Sequence, residues 1–483
     1  MIRIGTGRLT GGQDGEIAVF KGVPFAKAPF GRLRFAAPEP PEPWDGVLEA
    51  TRFGPRPPQP PMMPGLPPWS PDGGLDCLSL NVWTPDPGGA GLPVMVWIYG
   101  GAYRSGYADL PAYDGARLAR QGVVVVTFNH RVGFEGYGHV PGRPANRALL
   151  DQVAALRWVR ENVAAFGGDP GNVTVFGESA GAGAIACLLA MPSARGLFGR
   201  AIAQSVPGMT FTPAFAARVT DAVERRLGGV PLAESAPEAL VAAGEAVATE
   251  EMRGDVGRWG PMAYESIAFA PVVDGEVLPD TPWNALAAGA ARDVALIAGY
   301  NRDEFRLFHA MSGGNPAPDL EGALRTLAPP YAEDAYRAAH PGASDEDLYV
   351  TLMSDWMFRM PSTLLADAHT GVTHAYELTW SPTPELRACH ALDVPLTFGV
   401  IDDDDMARML TGGSPDLPAL SEQVRTAWTA FAATGDPGWP RYDSATATTH
   451  LFDVVPSDVD DPEAASHALW AKAGFPPIGH PAA

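Results

Sequence analysis

The sequence predicts an α/β fold with a large, mostly parallel central sheet flanked by helices. Residues 93–99 and 122–128 are short, almost wholly apolar runs bounded by turn residues, as is typical of strands buried on both faces. The segment 148–166 then carries apolar residues at helical spacing, and a further strand pattern follows at 173–176. Strand, helix and strand in this order form the unit from which parallel sheets are built.

The rest of the chain extends this pattern. Further strands are expected at 294–299 and 373–380, whereas residues 208–260 and 309–370 have a mostly helical, polar pattern. We find neither an internal repeat nor an obvious linker. One large domain, residues 1–483, with inserted helical segments is therefore expected.

Composition and charge exclude several classes of partner. Of the 483 residues, 46% are apolar and 19% are charged, which is typical of a globular protein with a sizeable core. The net charge of -22 argues against nucleic acid and anionic membranes, because both are bound through basic patches. The longest apolar runs have strand length, far below the roughly 20 residues of a membrane-spanning helix.

Cysteines and acidic residues give no sign of a metal site. Cys77, Cys187 and Cys389 are far apart and form no C-x-x-C pair. The run Asp402–Asp405 has no histidine or glutamate at ligand spacing, so we interpret it as a solvated loop or a helix start. Residues 1–20 lack the pattern of a secretory signal. We expect a cytoplasmic protein without a metal or an organic cofactor.

The motif G-x-S-x-G, formed by Gly177, Ser179 and Gly181, points to nucleophilic chemistry. A sharp turn between strand and helix presents the serine hydroxyl, and the glycines remove side chains that would clash there. The helix that follows directs its N-terminal amides toward the same place. The pattern alone is weak, but its position between a strand and a helix favours a nucleophilic serine over a chance match.

A nucleophilic serine needs a histidine base and an orienting carboxylate, which in this kind of motif follow in the order acid, then histidine. His390 differs from the other histidines after Ser179 because it lies between a predicted strand and an apolar stretch. Asp303 and Glu304 both lie just past a predicted strand end, where open α/β sheets collect functional groups. Spacing alone does not decide between these two acids.

Over nearly its whole length the chain resembles the type B carboxylesterases of the α/β-hydrolase superfamily, which include cholinesterases and bacterial para-nitrobenzyl esterases. The resemblance implies an α/β-hydrolase fold with helical segments around an active-site gorge, a small ester as substrate, and a monomer or weak homo-oligomer. The matching segments are residues 20–46, 76–85, 129–133, 149–181, 269–279, 299–305, 389–399 and 428–440.

The resemblance also implies roles for individual residues. It assigns Ser179, Glu304 and His390 to a catalytic triad that transfers an acyl group to the serine and then to water. Glu178 is expected to support the nucleophile, and Ser205 aligns with a serine near the catalytic histidine. A purely structural role for Ser205 fits the sequence equally well.

The stretch GGAYRSG at the end of the first apolar run is interpreted, by the same resemblance, as part of an oxyanion hole. Its backbone donors would be Gly101 and Ala102, joined by Ala180 after the nucleophile, while Gly100 permits the turn. A phosphate-binding loop is excluded, because Tyr107 occupies the position of the lysine such a loop requires.

Substrate-pocket residues are harder to identify. Trp356 and Phe358 lie in a segment resembling one near the family's acyl site, although core packing is the more common role of such side chains. Met62, Met63 and Trp69, in a Pro-rich loop, are expected to form a mobile rim over the gorge.

The resemblance bears on the state of Cys77 as well. Secreted relatives pair this cysteine with one that precedes a P-Q pair, and here Pro57 occupies that position. Cys77 is therefore expected to be free, in agreement with a reducing compartment.

Two other functions compete with ester hydrolysis. A cholinesterase-like binding protein without catalysis normally lacks a triad member, whereas Ser179, Glu304 and His390 are all present. A hydrolase of amides, carbamates or lipids would share the same residues, so the sequence leaves that alternative open.

Substitutions at Ala102 test its predicted role. Ala102→Gly should retain ester hydrolysis, whereas Ala102→Pro, which deletes the amide donor, should lose it. Initial rates on a p-nitrophenyl ester measure both. Full activity in the proline variant would remove this residue from the oxyanion hole.

Overall fold

The structure is a computed structural model that describes residues 1–62, 69–312, 319–401 and 405–479. The expected rim residue Met63 and residues 402–404 of the acidic run lie outside these ranges, and Asp405 begins a helix. The strands are β1 Ile2–Ile4, β2 Gly7–Thr10, β3 Gly12–Asp14, β4 Ile17–Pro24, β5 Val47–Glu49, β6 Ser79–Thr84, β7 Leu92–Ile98, β8 Val124–Phe128, β9 Gly168–Glu178, β10 Arg200–Gln204, β11 Ala295–Asn301, β12 Thr373–Leu378, β13 Thr448–Phe452 and β14 Ser457–Asp460.

Helices connect these strands and account for most of the segments predicted to be helical. None of the helices in the described ranges is long and apolar enough to cross a membrane. They are α1 Ala116–Ala119, α2 Gly133–Tyr137, α3 Arg147–Asn162, α4 Ala180–Ala190, α5 Pro213–Arg226, α6 Pro237–Ala246, α7 Val256–Trp259, α8 Met262–Glu265, α9 Pro282–Ala287, α10 Arg306–Met311, α11 Leu320–Leu327, α12 Ala332–Ala339, α13 Asp345–Ser354, α14 Met360–Ala368, α15 Asp393–Phe398, α16 Asp405–Thr411, α17 Leu417–Thr434 and α18 Ala464–Trp470.

One sheet of 11 strands, in the order β14-β13-β12-β11-β10-β9-β7-β8-β6-β4-β3, organises the molecule. The strands from β8 through β7 and β9 to β13 pair in parallel. The flanking strands β3, β4, β6 and β14 pair antiparallel. The predicted α/β fold with a mostly parallel sheet is therefore confirmed. A separate sheet of 3 strands, β1-β2-β5, lies near the N-terminus.

The sheet is covered on both faces, which explains the apolar runs. Alternate side chains of β7 point to opposite faces, so Val94 and Val96 pack into one buried cluster. Met95 and Trp97 pack into the other. A strand between two cores has no solvent-facing side, so its sequence is continuously apolar.

The strand that precedes the G-x-S-x-G motif is longer than predicted. The sequence indicated residues 173–176, whereas β9 begins at Gly168. Gly168 pairs with Leu92 of β7 before the register shifts, and regular pairing resumes where Val94 faces Val173. The intervening DPGN segment has turn chemistry, so local sequence concealed this long-range pairing.

The edge strand β14 is unlike the rest of the sheet. All four residues of Ser457–Asp460 are exposed, and in the described part of the chain β14 pairs with β13 alone.

The following chain leads to α18, which the ring of His467 joins to α14. Its Nε2 lies 2.8 Å from Asp367 Oδ2 and its Nδ1 lies 3.1 Å from Asp461 Oδ1.

His467 should make stability depend on pH. Its hydrogen bond to Asp367 raises the pKa of His467 to about 9. A raised folded-state pKa gives stabilisation that is complete below the ordinary value of about 6.5 and is lost as pH rises through the folded value. His467→Gln should therefore lower Tm by roughly 1–2 °C at pH 6 and by less above pH 9.

Thermal denaturation of both proteins across this pH range measures the effect. Asp367→Asn should reproduce it, since it removes one of the two carboxylates. Parallel Tm curves for the parent protein and His467→Gln would show that the ion pair has no such role.

Candidate active site

Ser179 lies in a strained turn between β9 and α4. Its backbone has φ 57° and ψ -126°, a conformation that side-chain-bearing residues rarely adopt. The Ser179 N–H donates to the Gln204 carbonyl of β10 at 2.9 Å, which fixes the turn to the neighbouring strand. A Cβ at Gly177 or Gly181 would collide with the carbonyl oxygen of Ile98 on β7. The two motif glycines are needed because β7 runs so close to this turn.

Glu304 and His390 form a buried pair near the carboxyl ends of β11 and β12. Glu304 Oε2 lies 2.6 Å from His390 Nδ1, and the His390 N–H donates to the Glu304 carbonyl at 3.1 Å. The other carboxylate oxygen, Oε1, accepts hydrogen bonds from Ser205 Oγ at 2.5 Å and from the Asn301 N–H at 2.9 Å. Both oxygens of Glu304 are thus engaged, which holds the carboxylate in one orientation.

The structure distinguishes the two candidate acids that spacing left open. Asp303 lies 3.5 Å from the half-exposed Arg387, and in the described ranges no hydrogen bond or ion pair joins its side chain to His390. Glu304 has no exposed surface and contacts His390 directly. The geometry agrees with the assignment that the family resemblance implied.

Glu178 contacts the opposite side of the His390 ring. Its Oε1 lies 3.0 Å from Nε2, close enough for an ion pair although the two groups are not aligned as a hydrogen bond. Within the described ranges, no hydrogen bond joins Ser179 Oγ to His390. Such contacts are often loose without substrate and tighten in the substrate complex. The imidazole therefore has one carboxylate at each ring nitrogen.

These contacts change the proton affinity of both partners. Burial disfavours the charged imidazole, but the negative charges of Glu178 and Glu304 outweigh it and raise the pKa of His390 to about 9. Burial also raises the pKa of Glu178 to about 8, although the nearby histidine opposes this effect. The two groups titrate over the same range as a coupled pair.

The turn after β7 lies directly against the nucleophile. A Cβ at Gly100 would be 3.0 Å from Ser179 Cβ and 2.8 Å from Glu178 Oε2. Gly101 has φ 116°, and a side chain there would also collide with the Ser105 carbonyl. Both glycines are required, one by close approach and the other by its backbone conformation.

Three backbone N–H groups in the segments around this turn have no acceptor in the described part of the protein. In the described part of the chain, the N–H groups of Gly101, Ala102 and Ala180 donate to no other protein group. Ala102 has φ 54° and Tyr103 has φ 60°, each costing roughly 1–2 kcal/mol for a residue with a side chain.

The conformation of Ala102 changes what its variants test. Proline requires φ near -65°, so Ala102→Pro would break the turn as well as remove the donor. Ala102→Gly should instead relieve strain. Loss of activity in the proline variant therefore reports on the turn and the donor together.

Aromatic rings line the histidine. The ring of Phe358 stacks on His390 with centroids 4.2 Å apart, and Phe308 lies 5.1 Å from the same ring. Phe358 belongs to a π-helical turn, Asp355–Arg359, a feature frequent at functional sites. The sequence singled out Phe358 but missed Phe308, whose only signal is its position four residues after Glu304.

The positions of the other expected pocket residues do not show whether they contact substrate. Trp356 is buried in the same π-helical turn as Phe358. Trp69 is partly buried, and its Nε1 donates to the Arg56 carbonyl at 2.9 Å. Met62 is also partly buried. A pocket or rim role for these three residues stays a prediction.

A buried polar network behind the pair was also missed. Asp393 Oδ2 accepts hydrogen bonds from Gln204 Nε2 at 2.7 Å and from the Tyr376 hydroxyl at 3.0 Å. Asn301 Nδ2 donates to the Cys389 carbonyl at 2.8 Å, next to the histidine. The carboxyl ends of β10, β11 and β12 are thereby joined to the loop that carries His390.

The thiol groups of the three cysteines take no part in these contacts. Cys77, Cys187 and Cys389 are buried and unpaired. Burial raises the pKa of the Cys389 thiol to about 12, so this neighbour of His390 stays protonated near neutral pH. We find no group of three His, Cys, Asp or Glu side chains in the described ranges that could hold a metal ion.

Comparison with known proteins identifies the family of this chain. The family model described as "Carboxylesterase family" matches residues 1–454. The para-nitrobenzyl esterase of Bacillus subtilis is 38% identical over 477 residues, covering 95% of this chain and 95% of that protein. An acetylcholinesterase of Bungarus fasciatus is 33% identical, covering 89% of this chain and 78% of that enzyme.

Solved structures give the same result at the level of the fold. A carboxylesterase of Geobacillus stearothermophilus superposes with a TM-score of 0.85 at 35% identity, covering 97% of this chain and 99% of that one. Such similarity along the whole chain leaves the fold and the reaction class in no doubt. The chain belongs to the carboxylesterase family, has the α/β-hydrolase fold and is a carboxylic-ester hydrolase.

Proposed function

We propose that Ser179, His390 and Glu304 are the catalytic triad of this esterase and that its reaction passes through an acyl-enzyme. The observation that carries the proposal is the buried 2.6 Å contact between Glu304 and His390, near the strained turn of Ser179. A serine held in that turn, a histidine and a carboxylate are the groups that acyl transfer requires.

In the first half of the reaction, His390 Nε2 takes the proton of the Ser179 hydroxyl as the oxygen attacks the ester carbonyl carbon. Glu304 keeps the proton on Nδ1 and stabilises the imidazolium that forms. The tetrahedral intermediate collapses, the bond to the alcohol oxygen breaks, and Nε2 returns the proton to the leaving alcohol.

In the second half, water replaces the alcohol. His390 takes a proton from the water as it attacks the acyl carbon, and returns it to Ser179 when the acid leaves. When its carboxyl group is ionised, Glu178 adds a second negative charge near the imidazolium in both halves. Charge stabilisation inside a buried site is stronger than in water, so this neighbour favours the protonated histidine.

The negative oxygen of each intermediate would be bound by the N–H groups of Gly101, Ala102 and Ala180. Two observations support this assignment: none of the three N–H groups donates to another group among the described residues, and all three lie in segments next to Ser179. Losing one such donor typically costs about 10²–10³ in rate.

We place this activity in a single domain spanning residues 1–483, acting in the cytoplasm as a monomer or weak homo-oligomer. The three buried, unpaired cysteines support a reducing compartment. The mechanism needs neither metal nor organic cofactor.

Three substitutions test the triad. Ser179→Ala and Glu304→Gln should each lower kcat on p-nitrophenyl esters by about 10⁴ or more, because the nucleophile or the orientation of the base is lost. A panel from acetate to palmitate measures this and gives the acyl preference. Asp303→Asn is the matched control, since in the described ranges no hydrogen bond or ion pair joins the side chain of this neighbouring acid to His390, and it should stay close to the parent protein. Comparable losses in Asp303→Asn and Glu304→Gln would refute the assignment.

Glu178→Gln tests the coupled pair. The neutral amide removes a negative charge that raises the pKa of His390, so the acid limb of kcat/KM should move to lower pH by roughly one unit. A pH profile of kcat/KM measures the limb, and Asp303→Asn should leave it in place. An unchanged limb, or one at higher pH, contradicts the role of Glu178.

A further inference from the structure

The turn that carries two of the three oxyanion donors closes on itself. The Gly101 carbonyl accepts the Ser105 N–H at 3.0 Å. Gly106 has φ 131°, and a Cβ there would lie 2.6 Å from the Gly100 carbonyl oxygen. Gly106 therefore packs directly against the backbone of Gly100. A shift of Gly106 would move the adjoining residues Gly101 and Ala102.

The side chain of Gln59 holds Gly106 from both sides. The Gly106 N–H donates to Gln59 Oε1 at 2.8 Å, and Gln59 Nε2 donates back to the Gly106 carbonyl at 3.1 Å. Gln59 Nε2 also donates to the Pro57 carbonyl at 3.0 Å. The Gln59 residue is 5% exposed. This reciprocal pair resembles the pairing of two backbone amides in a sheet and fixes Gly106 in both place and orientation.

A second fastening joins the same two segments at the surface. The Arg56 side chain pairs with Asp109 at 2.7 Å and lies over the Tyr107 ring at 3.7 Å from its centroid. The Arg56 side chain is 46% exposed, so this ion pair is screened by solvent. Arg56 thus offers a matched comparison, because it links the same segments without contacting Gly106.

The turn needs such an anchor because its conformation is strained. Ala102 and Tyr103 are consecutive residues with side chains in the left-handed region. Conformations of this kind persist only where the surroundings hold them in place. No disulfide joins the three cysteines. Noncovalent contacts therefore hold the Pro-rich segment against the turn.

We infer that Gln59 is a positioning residue for the oxyanion hole, acting through Gly106 on the N–H groups of Gly101 and Ala102. This inference rests on the proposed function, since it assigns Gln59 to the transition state of that reaction. The amide group of Gln59 is buried and hydrogen-bonded to the backbone of Pro57 and Gly106, so its loss should weaken binding of the negatively charged intermediate and leave binding of the neutral ester almost unchanged.

Gln59→Met keeps the length of the side chain and removes both hydrogen bonds to Gly106. We expect kcat for a p-nitrophenyl ester to fall about 10- to 100-fold with KM within about twofold, a part of the cost of losing one oxyanion donor outright. Affinity for an aryl trifluoromethyl ketone, which forms an oxyanion when Ser179 adds to it, should fall by a similar factor. Rates are expressed per active site, counted by stoichiometric titration with an organophosphate, so that misfolded protein does not enter kcat.

Two variants complete the experiment. Gln59→Glu retains an acceptor for the Gly106 N–H and should fall between Gln59→Met and the parent protein. Arg56→Met removes the exposed fastening and should keep kcat per site and ketone affinity within about twofold. If Gln59→Met does not fold, Gln59→Glu decides alone: kcat per site and ketone affinity below those of the parent protein, with KM unchanged, support the role of Gln59, and parent values overturn it.

The outcomes separate this inference from the function on which it rests. Unchanged kcat and ketone affinity in Gln59→Met, or a rise in KM alone, would overturn the role of Gln59. Equal losses in Gln59→Met and Arg56→Met would assign the effect to general loosening and overturn it as well. Activity retained by Ser179→Ala would refute the proposed function itself, whatever the Gln59 variants do.

Discussion

The parallel register of β9, β10 and β11 is the constraint on which the site depends. Gln204 pairs with Glu178 on one side and with Gly299 on the other, so β9 and β10 end at the same level while β11 continues two residues further, to Asn301. The residue after β9 and the residue after β10 both turn out of the sheet with positive φ, 57° at Ser179 and 59° at Ser205. Each donates its N–H to the neighbouring strand, and a register slip of one residue would turn these side chains to the opposite face.

The electrostatics of the site follow from this arrangement. The strand ends gather Glu178, Glu304 and Asp393 near one histidine, and burial raises the pKa of both Glu178 and Asp393. A buried carboxylate is costly unless it is paired or hydrogen-bonded. Gln204 and Tyr376 satisfy Asp393, and the imidazole faces the two glutamates. The cost of concentrating acids here is offset when the histidine becomes positively charged.

Sequence predicted the parts of the site that local chemistry determines. The turn of Ser179 has a signal within five residues, because strand, glycines and helix are adjacent in the chain. Choosing Glu304 over Asp303 requires knowing how the chain turns after β11, and the spacing of residues in the sequence does not give this information. The family resemblance favoured Glu304, because the matching position in the family is the catalytic acid.

Contacts between distant segments left no such signal. The ion pair of Glu178 with His390 and the amide pair of Gln59 with Gly106 join residues far apart in the chain. A single polar contact produces no periodic pattern, so neither could be read from the sequence. The mostly parallel sheet could be predicted because its buried strands form continuous apolar runs, a pattern that is visible in the sequence itself.

The exposed edge strand β14 affects how the protein behaves at high protein concentration. Ser457–Asp460 is exposed along its length and would offer free backbone groups to any extended chain nearby. Asp458 and Asp460 lie along that border, and a second copy that brought these acids opposite one another would be repelled. In a chain with a net charge of -22, electrostatic repulsion of this kind opposes the addition of another copy at this edge of the sheet.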